Sequence, residues 1–532
     1  MSLSLKRIAL CYFLCVVLLF VCAFRIFSVM SRDNYRQVAE QTSRRVIDLE
    51  FSRGTIFDTN MNRITNSNEI YYAVIFKEAK TSVELYNLFS AEEIEDITRK
   101  IDQNGFAVRK IANKATSNGI YCIKAYAHAD DSLIAKHIIG YTDLEGKGVC
   151  GLEAAYNETL LCKDKNQIIF TIDGQGKIID GYSPELIFNY NIQNSGLKIT
   201  IDKSIQQIAE QKAMNINCGA VVITEIKTGK IRALVSRPDY KLSDLASAVI
   251  DENEPMLNRA LCTYNIGSVF KPLVAAVGYE SGKAMETECN GYANIDGLTF
   301  ACHKTGGHGA VNLSTALKYS CNTFFYQFIQ RLNTDSVFLL AQKAGFDSSV
   351  YLCNGISTSK GNLGETNALR LTKRDMANIS IGQGELMTSP IAITNLYMAI
   401  ANGGVYTPPS LIEGRVEDMT LVETKTQLQS VRLFSKNTAE KLKKDLSAVL
   451  DEDGTGKAAK PKCTTAAGKT GTAQTGVVKG GEKVTNSWFC GFFPLDNPKY
   501  AVTILSENAK GGCGGIFADI ADEITKLESG RS

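Results

Sequence analysis

Ser268 and Lys271 stand three positions apart in the stretch Gly267-Ser268-Val269-Phe270-Lys271. If a helix begins there, that spacing puts both side chains on one face, one turn apart. At a helix start the serine hydroxyl meets free backbone N–H groups and the positive end of the dipole, which favour developing negative charge. Serine is a poor nucleophile until a neighbour takes its proton. Lysine does so only when burial or nearby positive charge keeps it neutral. The pair therefore points to acyl transfer through a serine ester. Ser357 and Lys360 repeat the spacing, with no second motif at a plausible distance, so the pair gains meaning only from its surroundings.

Two further strings supply them. Ser320-Cys321-Asn322 follows Lys271 by 49 residues, and Lys469-Thr470-Gly471 follows Asn322 by 147. Singly each is common: Ser435-Lys436-Asn437 repeats the first, while Lys227-Thr228-Gly229 and Lys304-Thr305-Gly306 repeat the second. Order and context separate them. Lys227 falls in a hairpin turn and Lys304 in a glycine-rich loop, both ahead of Ser320, and Ser435 opens an amphipathic helical stretch. Only 469–471 follows both other strings, continues into Thr472-Ala473-Gln474 and is preceded by the small residues 464–468.

Composition excludes several classes. The 58 basic and 56 acidic residues leave a net charge of +2, which gives no electrostatic case for nucleic acid. With only four histidines, histidine-based metal catalysis is a poor starting point. The 15 cysteines do not fall into the paired spacing of a small disulfide framework. Cys289, Cys302, His303 and His308 form a conceivable zinc set, but the adjacency of Cys302 and His303 is awkward for tetrahedral ligation. A Cys289–Cys302 disulfide and free thiols are the other readings, and no metal or cofactor is expected.

The elements that must position the chemistry are legible in outline. Residues 8–24 are 17 consecutive apolar or cysteine positions, preceded by Lys6 and Arg7. With residues 26–30 beyond Arg25 they can cross a bilayer, which takes about 20 residues. No small-residue cleavage site follows, which favours an uncleaved anchor over a signal peptide. Arg25, Arg32 and Arg36 oppose Lys6 and Arg7 in setting its orientation. Residues 31 to about 186 read as mixed strands and short helices, with an amphipathic helix starting at Ala91 and carrying Ile94 and Ile97. Gly146-Lys147-Gly148-Val149-Cys150-Gly151 matches a dinucleotide fingerprint as a string, but no strand ends directly before it, so it reads as a glycine-rich turn. A further domain begins near Gly196, with Asp202 capping a helix that carries Ile205, Ile208, Ala209 and Ala213. Strands over 220–226 and 230–235 flank a turn at 227–229, residues 268–401 read as mainly helical, and strands return over 486–493 and 500–506 before a last helix carrying Ile516, Ile520, Ile524 and Leu527. Strands at both ends with helices between predict one sheet with helices on its faces.

The ordered motifs resemble the penicillin-binding protein and serine β-lactamase superfamily. Further strings resemble its class B penicillin-binding proteins: Arg53-Gly54-Thr55-Ile56-Phe57-Asp58, Gly151-Leu152-Glu153, Thr200-Ile201-Asp202, Gly382-Gln383-Gly384 and Trp488-Phe489-Cys490-Gly491-Phe492. The chain departs from the family pattern at Ile266, where a proline usually precedes the glycine, and at Cys490, often a smaller residue. The resemblance implies a mixed α/β chain: cytoplasmic start and transmembrane anchor over 1–30, class B pedestal over 31–190, and a transpeptidase domain over 191–532 with an antiparallel sheet covered by helices.

It also implies roles. Ser268 attacks a D-alanyl-D-alanine stem peptide, Lys271 takes its proton, Ser320 relays it, and Asn322 holds Lys271 and the substrate amide. Lys469 supplies charge for the terminal carboxylate, Thr470 and Thr472 hydrogen-bond it, and Gly471 lets the strand approach. Backbone N–H groups of Ser268 and Thr472 form the oxyanion hole. The implied function is D,D-transpeptidation in peptidoglycan synthesis, with β-lactams as acylating inhibitors, the catalytic domain outside the cytoplasm, and a polytopic glycan polymerase as partner. A β-lactam sensor would be expected to carry further membrane helices, and a β-lactamase needs no pedestal.

Overall fold

The computed structural model describes residues 3–531 except 32–42, 116, 118, 144, 175–177, 180–181, 183, 188–193, 425–427, 480 and 509–510. Arg32 and Arg36, used above in weighing orientation, thus lie outside the described residues. The chain divides into two compact units, one of residues 1–52 with 161–190 and one of 53–160 with 191–532.

The first unit carries the helix Leu3–Met30. Its apolar stretch Leu5–Met30 is 26 residues long and none of it is buried, enough to cross a bilayer, which takes about 20. A three-stranded sheet joins Arg44–Arg53, Leu161–Thr171 and Glu185–Ile187 in that order.

In the second unit the strand Asn68–Phe76 lies between Phe106–Ile111 and Ile120–Ala127. Helix Ala91–Asn104 starts at a Ser90–Glu93 capping box and buries Ile97 and Ile101. With Ala73, Ile75 and Leu85 these form a small core of their own. The motif beginning at Arg53 continues into Thr55–Phe57, which pairs in parallel with Gly196–Ile199. The guanidinium of Arg53 pairs with the Glu153 carboxylate, and its Nη1 donates to the Gly146 carbonyl at 2.8 Å. The Gly146–Gly151 string is therefore a turn used by its own chain.

The main sheet runs Ile231–Arg237, Gly219–Glu225, Tyr500–Ser506, Glu482–Phe493, Ala467–Lys479, all antiparallel. Strands from both ends of the catalytic sequence thus meet at its centre, as the strand–helix–strand order predicts. Side chains alternate between faces with period two. On one face Thr394 of the wholly buried helix Pro390–Ala401 donates to Thr503 at 2.8 Å. On the other, Phe517 of the C-terminal helix Gly514–Arg531 packs against Phe489, ring centres 4.5 Å apart and planes tilted by 44°. Asp202 caps Lys203–Ala213, its Oδ1 accepting from the N–H groups of Ser204 and Ile205.

The span 268–401 departs from the mainly helical expectation. Between helices Lys271–Glu280 and Leu313–Lys318 it folds into two antiparallel pairs, Glu286–Cys289 with Gly309–Asn312 and Tyr292–Ile295 with Leu298–Ala301. Gly291, Gly297, Gly307 and Gly309 all take positive φ there. Such turns interrupt the helical period and reverse the chain.

Candidate active site

Ser268 sits in a 3-10 turn, Gly267–Phe270, that runs directly into helix Lys271–Glu280. The helix expected at Ser268 therefore opens with one tighter turn. In 3-10 geometry residues i and i+3 eclipse, which keeps Ser268 and Lys271 on one face. The turn is held from four sides. Tyr397 donates to the Val269 carbonyl at 3.1 Å, and Trp488 Nε1 to the Asn265 carbonyl at 3.0 Å. Gly267 N–H donates to the Gly382 carbonyl at 2.8 Å. A Cβ on Gly382 would stand 2.1 Å from the Gly267 carbonyl, and one on Gly471 2.9 Å from Val269 Cγ1. Glycine at 382 and 471 is what admits this closeness.

Lys271 is fully buried, and its Nζ donates to the Ser320 carbonyl at 2.7 Å, the Ser320 hydroxyl at 3.1 Å and Asn322 Oδ1 at 2.6 Å. The Phe325 ring lies 5.4 Å from that nitrogen. Burial pushes the Lys271 pKa down to about 7, against the opposing pull of Cys321 and Cys302. In the neutral amine two N–H groups serve the Ser320 carbonyl and Asn322 Oδ1, which can only accept. The lone pair is then left toward the Ser320 hydroxyl, which can donate. Ser320 itself is held at φ +52°, a left-handed conformation that costs a non-glycine residue about 1–2 kcal/mol. That conformation, between Leu313–Lys318 and Asn322–Phe328, aims both its carbonyl and its hydroxyl at Lys271.

Lys469, Thr470, Gly471 and Thr472 lie on the edge strand of the main sheet, beside the Ser268 turn. Lys469 is fully buried and Nζ donates to the Thr470 carbonyl at 3.2 Å. Burial, with the charge of Lys271 added, holds its pKa well below the usual lysine value. Thr470 is half-buried and Thr472 exposed. The Thr472 carbonyl lies toward Gly267, whose hypothetical Cβ would be 2.6 Å away, and Gln383 Nε2 donates to it at 3.5 Å.

The three motifs thus converge, while Ser357, Ser435 and Lys227 lie on other elements. Ser357 ends a two-residue strand, Ser435 caps helix Lys436–Ala448, and Lys227 lies in the turn between two strands of the sheet. Sequence reasoning placed no role on Tyr397 or Gln383. A tyrosine within an apolar helix reads as core, whereas the string Gly382-Gln383-Gly384 was visible without its contacts.

Residues 219–526 match the penicillin binding protein transpeptidase domain family. Among curated proteins, Stage V sporulation protein D of Bacillus subtilis is 28% identical over 518 residues, covering 90% of this chain and 78% of its own. The probable peptidoglycan D,D-transpeptidase PenA of Neisseria gonorrhoeae is 26% identical over 546 residues, covering 94% and 89%. Among solved structures, penicillin-binding protein PBP2 of Helicobacter pylori superposes with TM-score 0.67 at 20% identity, covering 91% of this chain and 99% of its own. Penicillin binding protein 3 of Mycobacterium tuberculosis, solved with aztreonam, gives TM-score 0.65 at 21% identity, covering 91% and 97%. The family match spans more than half of the chain, and the chain belongs to the penicillin-binding protein transpeptidases, as a peptidoglycan D,D-transpeptidase of the serine type.

Proposed function

We propose that Ser268 is the acylated nucleophile of this transpeptidase and that Lys271 is its base. The observation that carries the reading is the buried Lys271 nitrogen, bound to Ser320 and Asn322 and held near neutrality. Ser268 attacks the carbonyl between the two terminal D-alanines of a stem peptide, and its proton passes to Lys271. Ser320 relays that proton to the departing D-alanine amine, while Asn322 orients Lys271 and the substrate amide. The amine of a second stem then attacks the ester, releasing Ser268 and leaving a crosslink.

Lys469 lies beneath the edge strand, so Thr470 and Thr472 meet the terminal carboxylate and Lys469 balances its charge from below. A carboxylate bound there reverses the burial that holds Lys469 low. The oxyanion hole uses the N–H groups of Ser268 and Thr472. In an antiparallel strand a residue's N–H and C=O point to the same side. The Thr472 carbonyl faces Gly267, which supports an N–H directed to the same turn. Such a donor contributes about 3–4 kcal/mol to the transition state.

The domain division at residue 190, the single-pass anchor with its catalytic part outside the cytoplasm, and a polytopic glycan polymerase reached through residues 31–190 complete the reading. The separate core around Ile75 and Ile97 supports a pedestal role. A single dose of penicillin tests the function as a whole. Intact-mass spectrometry should show a penicilloyl adduct that persists for many minutes, because an acyl-enzyme built for a peptide amine benefits when water reaches the ester poorly. Rapid return to the unmodified mass with repeated turnover of drug would establish a β-lactamase instead.

A further inference from the structure

Cys289, Cys302, His308 and Cys321 bring three sulfurs and one imidazole nitrogen within 4.8 Å of one another. They come from separate places in the fold. Cys289 ends the strand Glu286–Cys289, Cys302 follows the strand Leu298–Ala301, His308 lies in the loop before Gly309, and Cys321 is the N-cap of helix Asn322–Phe328. The backbone is fitted to this convergence: His308 N–H donates to the Cys289 carbonyl at 2.9 Å, and a Cβ on Gly307 would stand 1.9 Å from that oxygen.

The spacing among the side chains is that of a coordination shell. His308 Nδ1 lies 3.5 Å from Cys289 Sγ and 3.6 Å from Cys302 Sγ. Zinc held tetrahedrally, with Zn–S of about 2.3 Å and Zn–N of about 2.0–2.1 Å, requires sulfur–nitrogen edges of about 3.6 Å. The three cysteines are buried and His308 is half-buried, so the ion has access from the imidazole side. The His308 ring is steadied by stacking on Tyr319, centres 6.0 Å apart and planes 11° from parallel. His303, part of the set suggested by the sequence, is outside the cluster, and Cys321 takes its place. That exchange removes the strain of adjacent ligands.

The geometry points to a zinc(II) site of three thiolates and one imidazole, Cys289, Cys302, His308 and Cys321. It ties the two strand pairs of residues 286–312 to the loop that carries Ser320 and Asn322. Most residues of the four short strands are exposed, with Ala293 and Ile295 in a small cluster against Tyr326 and Ala377, and small elements of this kind commonly gain their order from a metal. Cys321 stands between the two residues that hold Lys271, so it is a positioning residue for the acylation machinery. On binding, the thiols give up their protons to solvent and the metal keeps its oxidation state.

The test uses the full chain in detergent, purified without a polyhistidine tag under reductant. Elemental analysis should find one zinc per chain. Exchange for cobalt(II) should give the thiolate charge-transfer and intense ligand-field bands of a tetrahedral site. Cys302→Ser and His308→Ala should lose those bands and bind zinc at least ~10-fold more weakly, whereas His303→Ala should keep both. Chelator-stripped protein should be acylated by penicillin roughly tenfold more slowly and recover on adding zinc. Zinc content is read without penicillin, so it stands apart from the assignment of Ser268. Metal well below one per chain, iron in place of zinc, or a disulfide between any two of the three cysteines in the reduced preparation would overturn the site. Acylation indifferent to stripping would overturn the positioning role.

Discussion

Lys271 Nζ and the Ser320 hydroxyl lie 3.1 Å apart inside the protein, although 49 residues of chain separate them. Ser320 reaches that place only by adopting a left-handed backbone, and Lys271 only by surrendering its hydration. Each residue accepts a local cost, and the result is a buried amine held near neutrality.

The first expectation is a pH profile. Burial lowers Lys271 to about 7, and only the neutral amine can take the Ser268 proton. The acylation rate should therefore rise with pH, level off above about 7, and fall roughly tenfold per unit below it. Stopped-flow labelling with a fluorescent penicillin across that range measures this. A rate flat from pH 6 to 8, or one that falls as pH rises, would remove Lys271 as the base.

Two glycines of one motif should behave differently. Gly382 and Gly384 both take positive φ, but a Cβ on Gly382 would meet the Gly267 carbonyl at 2.1 Å, whereas one on Gly384 meets nothing within 4 Å. Gly384→Ala carries only backbone strain, about 1–2 kcal/mol. Gly382→Ala must also displace the turn that carries Ser268, and a shift near 1 Å costs about 100-fold in rate. Equal acylation rates in the two variants would mean that Gly382 does not set the position of Ser268.

The site's polar residues were legible in the sequence because the chemistry restricts both residue type and order. Ser268, Lys271, Ser320, Asn322 and Lys469 stood out once three common strings appeared in sequence, and the structure brings all of them together. The sheet was legible too, since the strands over 486–493 and 500–506 are rich in apolar and aromatic residues. The strand pairs within 286–312 were not. Their short strands lack a sustained alternation, and the positive-φ glycines that shape them look like ordinary loop residues. For the same reason Cys321 was invisible as a neighbour of Cys289, because only the folding of that excursion brings the two together.

The pair formed by Arg53 and Glu153 should matter for stability. Their side chains are only 3% and 2% exposed, which places them with buried ion pairs and not with weak surface ones. Arg53→Ala leaves a buried carboxylate and should cost about 3–5 kcal/mol, read as a lowered thermal midpoint. Burial opposes ionisation of Glu153, but His128 and Arg53 outweigh it and hold the carboxyl below its usual value. A depressed folded-state pKa stabilises above the unfolded value, and that contribution is lost as pH falls through the folded one. Wild type should therefore lose stability on acidification below about pH 4.5, where Arg53→Ala loses less. An unchanged midpoint in Arg53→Ala would contradict the account of the pair.

Topology is open to direct measurement. Protease added to intact, wall-stripped cells should digest the region beyond Arg36. Full protection there, with cleavage only after lysis, would place the catalytic residues in the cytoplasm.

The most direct measurement is the site of acylation itself. The full chain is labelled with penicillin, digested and mapped by tandem mass spectrometry, beside Ser268→Ala prepared identically. The expected result is a single adduct on Ser268, and no adduct on the Ser268→Ala protein at an unchanged thermal midpoint. An adduct at Ser357 or any other residue, or labelling that survives in folded Ser268→Ala, would contradict it.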